Sequence, residues 1–151
     1  LLAEKFGMEY VDCDGNKQNP YIIHRTSLGC YERTLALLIE KYAGAFPLWL
    51  APVQVAILPI ADRHQEAAFA FKETLLLAGI RAEVDDRSEK IGYKIREAQL
   101  QKIPYMLVMG DKEIEGNSVS VRRRGEGDIG SMSEQQFTET VLKDKETKAI
   151  W

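Results

Sequence analysis

The chain is short of cysteine and histidine and has no long apolar run, and each shortage closes off a class of protein. Its two cysteines, Cys13 and Cys30, show neither CxxC nor disulfide-like spacing, which excludes a disulfide framework and leaves two reduced thiols. No stretch approaches the ~20 apolar residues of a membrane-spanning helix. The opening LLAEKFGMEY is too acidic, and too short in apolar run, for a secretory signal. It starts without Met and in mid-pattern, so Leu1 is expected to be a boundary within a longer chain. No glycine-rich phosphate loop follows any expected strand, which argues against a small nucleotide-binding α/β enzyme. There is no internal repeat and no low-complexity segment. The net charge of −3 over 151 residues excludes a uniformly basic, nucleic-acid-coating protein.

What remains is an ordinary globular composition, 45% hydrophobic and 28% charged, enough for one domain with an appendage. Positive charge is local. Arg122, Arg123 and Arg124 are consecutive, and Lys90, Lys94, Arg96 and Lys102 fall in one expected helix. A local basic surface on an acidic protein can still steer a polyanion.

Residues 1–30 read as strand segments. Met8–Val11 and Tyr21–Ile23 are β-rich, and Asp14-Gly15-Asn16 between them signals a hairpin turn. Apolar Tyr31, Leu35, Leu38, Ile39 and Tyr42 then recur at helical spacing, with Gly44 as the stop. Residues 44–52, GAFPLWLAP, are linker-like but apolar, and the domain boundary is expected here. Val53–Ile60 is a continuous apolar run, as in a buried parallel strand. Asp62 is placed to cap a helix reaching about Ala78, stopped by Gly79. Arg81–Val84 reads as a strand. Lys90–Lys102 reads as a helix with Ile91, Ile95 and Ala98 inward and Lys90, Lys94, Glu97 and Gln101 on one solvated face. Tyr105–Met109 reads as a buried strand, Asp111–Gly116 as a turn, and Ser118–Arg124 as a short polar strand. The last helix starts at Ser133, with Gln136 completing a capping box and Met132 and Phe137 a hydrophobic staple. Residues 53–146 therefore spell β-α-β-α-β-β-α. This is a three-layer α/β domain with a mixed, mainly parallel sheet flanked by helices, preceded by a β-hairpin and a helix.

Several groups carry chemistry. Gly29-Cys30-Tyr31-Glu32-Arg33 is a strand-to-helix turn where a glycine lets backbone approach a ligand and a first-turn arginine can face a phosphate. Taken alone, Glu-Arg at a helix start is usually a solvated pair. A lone His24 at a strand end is more often structural or exposed than a metal ligand. Charged Gly110-Asp111-Lys112-Glu113 follows a parallel strand, where α/β sheets bind ligands. Arg122 suits stacking or an edge contact with an unpaired base, and Glu113 can accept from a guanine. Ser88, at a helix entrance, can donate to an RNA backbone or base edge. Arg123 and Arg124 suit phosphate contacts or plain solvated charge.

The run Pro20–Ile60, above all Pro47–Ile60 (PLWLAPVQVAILPI), and the later EKIGYKIRE core closely resemble the threonyl-tRNA synthetase family of class II aminoacyl-tRNA synthetases. The resemblance covers essentially the whole chain. It implies that 1–44 is the end of a class II catalytic domain with motif 3, 45–52 a linker, and 53–151 an anticodon-binding domain. It implies that Arg33 pairs with an ATP phosphate and Gly29 flanks the ATP. It also implies that His24, in Ile23-His24-Arg25, is one of three ligands of a zinc that recognises threonine. One ligand cannot hold the metal, so zinc and ATP are expected with the full-length enzyme and neither on this chain.

Anticodon contacts map onto Ser88, Lys102, Glu113 and Arg122. The family often has Asn at 88 and Arg at 102, and usually Ser where Cys30 stands. The implied ligase is a cytoplasmic homodimer that activates threonine with ATP and charges threonine tRNA. Its partners include neither DNA nor membrane, and this part alone is expected to be inactive in aminoacylation. The competing expectation is a non-catalytic synthetase-like accessory or RNA-binding subunit. Gly29 and Glu32-Arg33 speak against it.

Overall fold

A computed structural model describes residues 2–150. The chain forms two compact units, one up to Thr34 and one from Leu35 onward.

The first unit holds a one-turn helix α1 (Leu2–Lys5) and a two-residue hairpin, β1 (Tyr10–Val11) against β2 (Lys17–Gln18). The turn is where the sequence put it, but the partner strand is not. Asp12 Oδ1 accepts the amides of Asp14 and Asn16 at 3.0 and 2.8 Å. That Asx-type turn closes the chain at once, so pairing begins at Lys17. The β-prone Tyr21–Ile23 is left outside any strand, with Tyr21 99% exposed. Helix α2 (Tyr31–Tyr42) follows and leads from this unit into the second. It ends at Tyr42, two residues before the expected glycine. Ala43 and Gly44 are both left-handed (φ 48° and 76°), and the Gly44 amide bonds back to Ile39 O at 3.0 Å.

The second unit is a five-stranded sheet in the order β4-β3-β5-β6-β7. The strands are β3 (Val55–Pro59), β4 (Ala82–Val84), β5 (Tyr105–Met109), β6 (Ser118–Arg123) and β7 (Gly127–Ser133). β3 pairs parallel with β4 and β5, while β6 pairs antiparallel with β5 and β7. Helices α3 (Gln65–Leu77) and α6 (Glu134–Glu146) cover one face. Their Phe71, Leu75, Phe137 and Val141 pack on Val55, Ile57, Leu107, Val119 and Val121. Helix α4 (Ile91–Leu100) covers the other face, setting Ala98 against Ala56, Leu58 and Met106. All five residues of β3 are buried because both its faces are covered, which is why its sequence does not alternate.

Residues 45–52 are pinned within this unit. Leu48 and Ala51 are buried. Gln54, fully buried, donates from Nε2 to Leu48 O (2.8 Å) and accepts the Arg81 amide at Oε1 (2.9 Å). The Arg81 guanidinium bonds the carbonyls of Trp49, Ala51 and Pro52.

The structure corrects four further expectations. Asp62 does not cap α3. A short 3-10 turn, Asp62–His64, precedes the helix, and the Ala61 amide bonds His64 Nδ1 at 3.2 Å. Residues after β5 form a helix, α5 (Asp111–Glu115), because Glu113 reaches back to the Gly110 amide at 3.0 Å. Five residues are too few for a helical period to show in sequence. Strand β7 went unread because Gly127 and Gly130 are left-handed (φ 82° and 96°) beside a bulge at Val121/Arg122. Finally, Lys94 is buried rather than solvated. The Ser133–Gln136 capping box is present, with both bonds at 3.2 Å.

Candidate functional site

Three loops leave the carboxyl ends of the parallel strands β3, β4 and β5, where open α/β sheets bind ligands. They are tied together by polar side chains. Arg63 grips Asp111 with Nε and Nη2 at 2.9 and 2.5 Å. His64, 2% exposed, donates from Nε2 to Asp111 Oδ1 at 2.9 Å. The Ala61 amide at Nδ1 fixes that tautomer. Arg63, then His64, hold the Asp111 carboxyl well below the usual carboxylate range. In the β4 loop Arg87 pairs bidentately with Asp85 at 2.8 and 2.7 Å, which lowers the Asp85 carboxyl as well. The β3 and β4 loops meet where Ser88 Oγ donates to Asp62 Oδ1 (3.3 Å) and Gln65 Nε2 to Asp86 O (3.0 Å). Gly110 at the β5 exit is closely approached by two side-chain ends. A Cβ there would sit 2.7 Å from Ile60 Cδ1 and 3.0 Å from Glu113 Oε2.

Two of the four residues assigned to base contacts, Ser88 and Glu113, lie at this edge. Ser88 is exposed. Glu113 is half-buried with Oε2 already bonded to Gly110 N–H. The other two lie elsewhere. Arg122 stands in β6 in register with Met106. Since Val119 and Val121 enter the α3/α6 core, Arg122, Ser118 and Ser120 face the α4 side. There they are only half-buried, and the paired Ser131 and Asp128 of β7 are exposed. This polar strip of sheet is open to a ligand. The bulge sets Asp128 opposite Arg122, Nη1 to Oδ2 at 3.4 Å, and Arg122 Nε is enclosed without an acceptor among the described residues. Lys102 follows α4 in a left-handed conformation (φ 57°), with its Nζ on the Ala43 carbonyl.

Arg123 and Arg124 are engaged within the fold. Arg123 pairs with Glu126 and Asp144 and lies over the Tyr105 ring, and Arg124 donates to Lys102 O and Phe46 O at 2.7 and 2.9 Å. Of the two readings of this pair, phosphate contacts or plain solvated charge, these partners remove the second.

In the first unit, Gly29 is left-handed (φ 70°) and its amide bonds Thr26 Oγ1. It leads into α2, where Arg33 is exposed in the first turn. Cys30 Sγ donates to Glu32 Oε2 at 2.8 Å, which lowers the Glu32 carboxyl. His24 is exposed, and among the described residues no three His, Cys, Asp or Glu side chains converge as a metal site. No helix among these residues is long and apolar enough to cross a membrane.

The sequence reading missed the Arg63–His64–Asp111 cluster and Lys94. Their signals were a charged Asp-Arg-His run just past a buried strand, and a lysine set in the Ile91/Ile95/Ala98 stripe.

The family described as Anticodon binding domain matches residues 54–144. The threonine–tRNA ligase of Clostridium botulinum (strain Eklund 17B / Type B) is 56% identical over 147 residues, 97% of this chain and 23% of that protein. That of Caldanaerobacter subterraneus is 53% identical over 149 residues, 99% of this chain and 23% of that protein. A solved structure described as the RNA binding domain of threonyl-tRNA synthetase from Cryptosporidium parvum Iowa II superposes with TM-score 0.74 at 31% identity. It covers 95% of this chain and 36% of that one. The chain spans about a quarter of the length of the curated relatives it matches.

Proposed function

The chain belongs to the anticodon-binding domain family, and from that premise we propose that it reads the anticodon loop of threonine tRNA as part of a threonine–tRNA ligase. The observation that carries this reading is the polar strip of sheet holding Arg122, half-buried on β6 and flanked by the exposed Asp128 and Ser131 of β7. Unpaired bases are recognised by stacking on planar groups and by hydrogen bonds to their edges. Arg122 offers a guanidinium plane and donors, Glu113 an acceptor for guanine, and Ser88 a hydroxyl. Lys102 contributes charge to the backbone. The negative net charge fits recognition of a few loop nucleotides rather than a long phosphate track.

The same reading divides the chain into the end of a catalytic domain (1–44), a linker (45–52) and the anticodon-binding domain (53–151). Within the longer ligase, Arg33 pairs with an ATP phosphate beside the left-handed Gly29, threonine is activated and passed to the tRNA, and the enzyme is a cytoplasmic homodimer. This part alone does not catalyse that reaction. His24 supplies one zinc ligand. The described residues do not fit a complete zinc site, so the metal requires ligands from outside this chain.

The test is a fluorescence titration of the 151-residue chain with the threonine anticodon stem-loop, beside one whose G and U are exchanged, at two salt concentrations. Tighter binding to the true loop, surviving at the higher salt, supports the reading. Equal binding that collapses with salt shows phosphate attraction only and overturns it.

A further inference from the structure

Helix α4 places a lysine where its apolar stripe calls for a core residue. Lys94 lies three residues after Ile91 and one before Ile95, and it is 3% exposed. Burying a lysine nitrogen is unfavourable unless its donors are satisfied. Here Nζ donates to two backbone carbonyls, Pro59 O at 3.0 Å and Asp85 O at 2.9 Å.

Those two carbonyls mark the point where the sheet opens. β3 and β4 run in parallel register to Ile57 and Val84, and the Asp85 amide still bonds Ile57 O at 2.9 Å. Beyond that the strands part and the ladder supplies no further donor. Every buried carbonyl needs one, and Lys94 provides it to both strands at once. A methionine would fill the stripe but leave both carbonyls unpaired. What begins at this point is the pair of loops that meet at Asp62–Ser88 and Gln65–Asp86. The lysine therefore sets how far apart the loops start, and the Ser88 hydroxyl is carried on one of them.

Resting on the anticodon-reading function proposed above, we infer that Lys94 is the positioning residue for Ser88, clamping the β3 and β4 loops so that the hydroxyl meets an RNA base edge in one fixed place. Lys94 touches no ligand and acts through the two loops. Gln65 is a further, outer tie between them, beside the Ser88–Asp62 bond.

The test measures discrimination between the threonine anticodon stem-loop and its G/U-exchanged counterpart. The 151-residue chain is compared with S88A, K94M, the S88A/K94M pair and Q65A, all well below their melting temperatures. The wild type discriminates. S88A lowers the ratio roughly fivefold, the worth of one neutral hydrogen bond. K94M lowers it by as much, and the pair by no more than either alone, since both remove the same contact. Q65A, a milder change that leaves the core intact, shifts the ratio in the same direction and decides the matter should K94M fail to fold. A wild-type ratio of one overturns the anticodon reading and this inference with it. A discriminating wild type overturns the inference alone in either of two cases: K94M and Q65A keep the full ratio, or the K94M and S88A losses add independently.

Discussion

Gln54→Leu should unfasten the segment 45–52 from the sheet. Gln54 is fully buried and bridges two backbone groups, Leu48 O at 2.8 Å and the Arg81 amide at 2.9 Å. Leucine has similar bulk but neither a donor nor an acceptor, so both groups stay buried and unpaired. Each orphaned group costs about 1–3 kcal/mol, which puts the total at about 2–6 kcal/mol. For a unit of this size that lowers the melting temperature by roughly 4 °C or more per kcal/mol. Urea unfolding followed by circular dichroism gives the free energy, provided the slope is unchanged. Hydrogen exchange gives the location, since the Arg81 amide should lose protection selectively. Leu48 and Ala51 would remain apolar, so the loss belongs to hydrogen bonding rather than to burial. A cost below about 1 kcal/mol with Arg81 still protected would refute the reasoning. It would mean that the two groups find other partners and that Gln54 is a space-filler.

Phe137→Ala removes a fully buried ring packed edge-on against Phe71 and Tyr105 at 6.4 and 5.5 Å. It should cost about 3–5 kcal/mol by thermal melt. Anticodon binding at low temperature should be unchanged, because Phe137 lies on the face opposite Arg122. The folded Asp111 carboxyl is depressed by Arg63 and His64. Its contribution to stability is therefore present above the ordinary carboxylate value of about 3.9 and lost as pH falls through the folded value. Melts from pH 7 to pH 3 should show Asp111→Asn less stable than wild type near neutrality and the gap closing on acidification. Arg122→Lys keeps the charge but loses the guanidinium plane. Titration should show the preference for the true anticodon loop falling on the order of tenfold, with the salt dependence nearly intact.

Legibility followed the length scale of the forces. Val55–Pro59 and Tyr105–Met109 were plain in sequence because a strand covered on both faces must be apolar throughout. The α6 start was plain because its cap is a local exchange between Ser133 and Gln136. The hairpin turn was legible but its register was not, since the β propensity of Tyr21–Ile23 lost to the Asp12 turn. Strand β7 was invisible because its glycines answer to a bulge opposite Arg122, a demand set by the neighbouring strand.

Sequence by itself determined the α/β class, the chain of strands and helices around two buried central strands, and the family to which residues 54–144 belong. These rest on local periodicity, capping and motif identity, all of which a linear chain carries. Only the tertiary structure decided what the charges do. Lys94, one of a solvated row on the helix as read, turns inward to close two carbonyls 35 and 9 residues away. Arg124 ends on the Phe46 carbonyl 78 residues earlier. Arg122 alone of its run is left on an open face of the sheet. A charge in sequence states only that it needs a partner or water, and which of the two it receives is fixed by elements brought beside it from elsewhere in the chain.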